Sequence, residues 1–148
     1  MKIFNKVILF FFLSTSFMQG VSAQYYTGQK IFSNKFPTEI LDRSQDTYIK
    51  INNTSGDIIV AVENTRTGRV IQHAYITSHD TYTFNFIPVG DYVCKYMWTD
   101  SSGNRHYEKD VSKMSFDVDE YGGYEITLQE TIYGNHEQSK ISESDFFN

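Results

Sequence analysis

The stretch Thr81-Tyr82-Thr83-Phe84-Asn85-Phe86, followed by Ile87-Pro88-Val89-Gly90 and the run from Tyr92 to Trp98, decides the fold. Tyr82, Phe84 and Phe86 alternate with Thr81, Thr83 and Asn85, the two-residue period of a strand with one apolar face. Pro88 supplies the fixed φ that a type I turn wants, and Gly90 offers a left-handed exit. The chain then runs back, with Tyr92, Cys94, Tyr96 and Trp98 on one face and Val93 and Met97 on the other.

The same signals repeat on either side. Tyr48 to Asn52 alternates, and Asn53-Thr54-Ser55-Gly56 turns the chain. Ile58 to Val62 is nearly all apolar, as expected of a strand covered on both faces. Asn64 to Gly68 reads as a polar hairpin loop with Gly68 suited to a left-handed backbone, and Val70 to Ile76 as the return strand. Ser78-His79-Asp80 and Thr99 to Asn104 are further turns. Arg105 to Val111 is a more polar strand, Ser115 to Val118 a short one, and Tyr124, Ile126, Leu128 and Ile132 alternate again after Tyr121-Gly122-Gly123. Turns every eight to twelve residues without a 3.6 period indicate an all-β chain, an antiparallel β-sandwich of about seven strands.

The ends read differently. Lys2 and Lys6, an apolar run from Val7 to Leu13 and the small residues Val21-Ser22-Ala23 have the order of a secretory signal peptide, residues 1–23. Its removal from a chain of 148 residues leaves 125, one ordinary domain. Losing Lys2 and Lys6 takes the net charge from −5 to −7. Such an acidic chain is a poor partner for nucleic acid, and no segment is long and apolar enough to span a membrane as a helix. An exported protein, periplasmic or extracellular, is the expectation. Residues 24–46 read as a lead-in or linker, 47–133 as the sandwich domain and 134–148 as a polar tail. The Asn52-Asn53-Thr54-Ser55 run contains two overlapping glycosylation sequons, read as chance in a leader of bacterial appearance.

Little in the chain points to chemistry. Cys94 is the single cysteine and reads as a small buried apolar residue. His73, His79, His106 and His136 form no closely spaced pair, so a zinc site lacks local support; His79 with Asp80, and His106, are the best members of one. Asp117, Asp119 and Glu120 precede a flexible turn and read as a solvated acidic loop rather than a calcium site. No nucleophile elbow, phosphate loop or metallopeptidase helix is present. Hence no catalytic, cofactor-binding or metal residue is assigned.

The aromatic excess is the remaining hint. Trp98 and Phe84 fit core filling, but Tyr96, Trp98 and Tyr107, if turned outward, form a candidate binding surface for a sugar or a protein.

From Val62 to Tyr96 the chain resembles the carboxypeptidase regulatory-like, or transthyretin-like (prealbumin-like), modules. The elements that carry the resemblance are Thr67-Gly68, the strand Tyr82 to Phe86, and Ile87-Pro88-Val89-Gly90-Asp91-Tyr92. It covers about a third of the chain after the leader. Ser78-His79-Asp80 stands where such modules usually carry a glycine. The resemblance implies an immunoglobulin-like or transthyretin-like sandwich without catalytic residues, serving as an accessory or interaction module. The expected function is a non-enzymatic module binding another envelope or secreted protein; the alternatives are a carbohydrate-binding module with an aromatic platform and a small metal-dependent hydrolase.

Overall fold

A computed structural model of the chain describes residues 24–118, 121–129 and 138–148. The leader, Asp119, Glu120, Ile132 and His136 lie outside the described residues. Nine strands are found among those described: β1 (Asp46–Asn53), β2 (Ile58–Asn64), β3 (Arg69–Ile76), β4 (Thr81–Asn85), β5 (Gly90–Thr99), β6 (Arg105–Asp110), β7 (Met114–Phe116), β8 (Tyr121–Leu128) and β9 (Gln138–Lys140), followed by a single-turn helix α1 (Glu143–Phe147). They build an all-β sandwich of two sheets. One sheet has the order β4-β1-β8, the other β3-β2-β5-β6-β9 with β7 also paired to β5. No helix among the described residues is long and apolar enough to cross a membrane.

The deciding stretch bridges the sheets. The alternation through β4 holds as far as Phe84, which is fully buried. Phe86 breaks it, at φ +60°, with its ring under the Arg43 guanidinium at 5.3 Å. Ile87 takes the core place instead, and its carbonyl accepts from Thr47 Oγ1 at 2.6 Å. The proline-glycine turn therefore carries the chain out of one sheet and into the other, so β4 and β5 do not pair.

Two apolar clusters result. The first lies between the sheets and joins Ile49, Ile51, Phe84 and Ile126 of the smaller sheet to Val60, Val62, Tyr92 and Tyr96 of the larger. The second lies on the other face of the larger sheet, where Ile59, Ala61, Val70 and Met97 are covered by Phe36 of the lead-in and Phe146 of α1. Both faces of β2 are thus buried, which is why Ile58 to Val62 is apolar throughout. β3 carries one extra residue opposite Val62/Glu63. This bulge turns the inward-outward alternation around Ile71 and lets Gln72 Nε2 donate to Asn85 O of the facing sheet at 2.9 Å.

β6 and β7 are two pieces of one neighbour to β5. Pairing with β6 stops at Lys95 and resumes with β7 at Tyr92. In the gap, the Cys94 amide donates to Asp110 Oδ2 at 3.2 Å. A carboxylate thus stands in for the missing backbone acceptor, as a buried amide requires.

β8 pairs with β1 in parallel, from Asp46↔Tyr121 to Asn53↔Leu128. The approach is close at Gly123, where an added Cβ would lie 1.8 Å from Tyr48 O. Only glycine fits. Asn53 is 2 % exposed and structural: its amide donates to Gly56 O and Thr77 O at 2.9 and 3.0 Å.

His73, on the outer face of β3, is buried against the Phe36 ring at a centroid distance of 4.4 Å. Its Nε2 has no hydrogen-bond partner among the described residues. Burial first, and then the Lys30 ammonium, press its pKa from 6.5 down to about 4, against a smaller opposing pull from Glu39. As pH falls the unfolded chain takes this proton first, so stability is expected to decline from about pH 6.5 downward through pH 4, by roughly 3 kcal/mol in all. The carboxylates held low by hydrogen bonds, such as Asp100 at about 2, lose their contribution only at lower pH. Chemical denaturation across this range checks it: His73→Phe should flatten the curve between pH 6.5 and 4 and leave the more acidic limb in place.

Candidate functional site

The three aromatics singled out from the sequence do not share a surface. Tyr96 lies on the inward face of β5 and is 1 % exposed. Its hydroxyl donates to Asp110 Oδ2 at 3.0 Å, and burial, together with the nearby Cys94 and Asp110, drives its pKa well up. Trp98, two residues on, is half-buried against the inter-sheet cluster. The indole stacks on the His106 ring at 5.3 Å and 15°, so that side of it is occupied. Tyr107 sits on the opposite face of the larger sheet, its ring 5.6 Å from that of Phe146. The parity of β5 places Tyr96 inward and the parity of β6 places Tyr107 outward; no platform is formed by the three.

The other candidates are equally separated. Cys94 is fully buried, and burial and Asp110 raise its thiol pKa well above the usual value, which leaves it a poor nucleophile. His79, at φ +58°, is exposed in the turn before β4. His106 Nε2 lies 2.8 Å from Asp100 Oδ2, and this contact, ahead of two amides of the same loop, holds the Asp100 carboxyl at about 2. That pair closes the β5–β6 turn, where Asp100 also accepts from the amides of Ser102 and Asn104. Among the described residues no three His, Cys, Asp or Glu side chains come together to hold a metal ion.

What the fold does assemble is a cleft and an edge. The cleft, about 530 Å³, opens where the lead-in crosses the ends of β2, β3 and β5 and the start of β6. Ile59 and Met97 from the outer cluster line it together with Tyr25, Phe32 and Tyr75; Trp98 borders it at the end of β5, while its ring packs on the inner cluster. Tyr25 and Tyr75 meet edge to face at 5.2 Å. Asp57 and Arg105 add the charges. The lead-in is positioned by its backbone: Gly28 N donates to Tyr75 O at 2.8 Å and Tyr75 N to Gln29 O at 3.0 Å. The site is not legible in the sequence because its walls come from five separate segments; Tyr25 and Phe32, isolated among polar residues of the lead-in, are its only trace there.

The edge is β8. The larger sheet is protected on both sides, by the lead-in along β3 and by β9 along β6, where Ile141 N also donates to Tyr107 O at 3.0 Å. β4 is five residues long, and the carbonyl of Asn85 at its end is held by Gln72. β8, at eight residues, pairs among the described residues only with β1. Tyr121, at its start, is 80 % exposed and the preceding Val118 70 %.

The fold and these features define an all-β sandwich with one long strand edge and an aromatic cleft. No protein-family model, no curated protein and no solved structure matches the chain.

Proposed function

We propose that the chain is an exported, non-catalytic binding module that docks an extended segment of another envelope or secreted protein along β8. The observation that carries this reading is the eight-residue edge of β8, long beside the covered edges of the larger sheet. Strands with a neighbour on one side only, as β8 has among the described residues, are templates for strand addition, in which main-chain hydrogen bonds give affinity and alternate side chains give selectivity. Tyr121 and Val118 beside it offer apolar contact area that folding has not used. The leader pattern of residues 1–23 and the partial transthyretin-like resemblance support the exported, accessory character. Carbohydrate binding through Tyr96, Trp98 and Tyr107 receives no support from their placement, since Tyr96 is buried between the sheets.

A photo-crosslinking amino acid at Tyr121, introduced in the cell that exports the protein, tests the reading. One discrete heterologous adduct is expected from position 121 and none from Thr83, which lies on the opposite edge strand of the same sheet. Adducts of equal strength from both positions, or from neither, would overturn it.

A further inference from the structure

The lead-in is fastened along β3, and one of its fastenings is a cation beside a buried imidazole. Residues 24–45 contain neither strand nor helix. Gly28 N donates to Tyr75 O, Tyr75 N to Gln29 O and Ile40 N to Ile71 O, at 2.8, 3.0 and 3.0 Å. The Thr77 amide donates to Thr27 Oγ1 at 3.1 Å. Between these points the Lys30 ammonium donates to the carbonyl of His73 and pairs with Glu39 Oε1 at 2.6 Å.

His73 is 3 % exposed, with the Phe36 ring of the lead-in against it and Ala61 of β2 opposite it in the ladder. Its Nε2 is buried with no partner among the described residues. A neutral imidazole tolerates that setting. An imidazolium does not, because both nitrogens become donors and the charge needs water or an anion. The charged groups that act on it both belong to the lead-in: Lys30, which repels, and Glu39, which attracts but is already held by Lys30. From α1, the rings of Phe146 and Phe147 meet Phe36. A proton on Nε2 thus sets a second cation beside the one that fastens the lead-in. Behind His73 stands a paired sheet, and in front of it a segment without regular pairing. The lead-in is the part that yields.

We propose that protonation of His73 releases the lead-in as an acid-operated strap, uncovering the edge of β3 and the outer face of the larger sheet while the two sheets stay paired. Release lifts Phe36 off Ile59, Ala61, Val70 and Met97, an apolar surface hidden at neutral pH. The device is independent of the β8 edge, which belongs to the other sheet.

Native-state hydrogen exchange between pH 7.5 and 3.5, corrected for intrinsic rates, tests it. An imidazole that titrates at the ordinary 6.5 when open and at about 4 when closed raises the opening constant about a hundredfold by pH 4. Protection of the Gly28, Tyr75 and Ile40 amides is expected to fall by about that factor, beginning near pH 6.5 and levelling off near 4. It should stay below the protection of β2, which is paired on both sides. In His73→Phe, which keeps a ring against Phe36, the fall should disappear. A fall that persists in His73→Phe assigns the proton to another group and overturns the proposal. So does lead-in protection in the native protein that ignores pH, or that equals the protection of β2 and so reports global unfolding. Should the variant not fold, the ring protons of His73 in the native protein still decide: titration near 4 supports the strap, and titration near 6.5 sinks it.

Discussion

Replacing Gly123 by alanine is expected to cost about 4 kcal/mol or more, at the extreme end of single substitutions. The new Cβ would fall 1.8 Å from the carbonyl oxygen of Tyr48, a backbone atom in the central strand of its sheet. A flexible neighbour would swing aside; a paired backbone does not. Either β8 moves outward by more than an ångström along its eight-residue pairing, or β1 distorts and disturbs Ile49 and Ile51 in the core. Gly56 provides the control, because nothing lies within 4 Å of its added Cβ, and Gly56→Ala should stay within about 0.5 kcal/mol of the native protein. Urea unfolding of the two variants decides it. A small effect for Gly123→Ala would mean that β8 does not run beside β1 at this separation.

Glu63→Ala is expected to cost about 3–5 kcal/mol, because it strips the partner from a buried cation. Lys95 is 2 % exposed, and its ammonium contacts Glu63 and the Asp145 carbonyl, with the Asn148 carbonyl at 3.2 Å. Glu63 is 6 % exposed and also receives Lys109 at 2.9 Å. Desolvating two such ions consumes most of their attraction, so the pair contributes little net stability while the loss of one member is severe. The double variant Glu63→Leu/Lys95→Met should therefore recover most of what Glu63→Ala loses. Lys95 also holds the carbonyl end of α1, a helix too short to persist unaided. Hydrogen exchange within residues 143–147 should accelerate whenever Lys95 is replaced, even in the stable double variant. A double variant as weak as the single one would show that the pair is worth more than its desolvation cost.

Much of the sandwich was legible because its signals are local. The alternation from Thr81 to Phe84, the apolar run from Ile58 to Val62 and the turn residues between them each depend on neighbours a few positions away. The missing parts depend on partners distant in sequence. Gly123 is required by Tyr48, 75 positions earlier, through a parallel pairing that no turn announces. Phe36 and Phe146 cover one face of the larger sheet, yet each stands alone among polar residues and sets no period. Phe86 continues the apparent alternation but leaves it through a left-handed backbone, and nothing short of the Arg43 contact marks the departure. For the candidate surface, strand parity correctly grouped Tyr96 with Trp98 and against Met97. Which face was inward rests on Asp110, whose carboxylate meets both the Cys94 amide and the Tyr96 hydroxyl.

The way the two flanks meet over the larger sheet governs how this protein can be shortened. Phe32 and Phe147 touch edge to face at 5.2 Å, and Phe36 reaches Phe146 at 5.7 Å. A recombinant fragment cut at the apparent domain limits, 47 and 133, would strip away both at once. Ile59, Ala61, Val70 and Met97 would be laid bare beside the ion pair of Glu63 and Lys95. Such a truncated form should be sticky and prone to precipitation, whereas one that begins at Gln24 and runs through Asn148 keeps its roof.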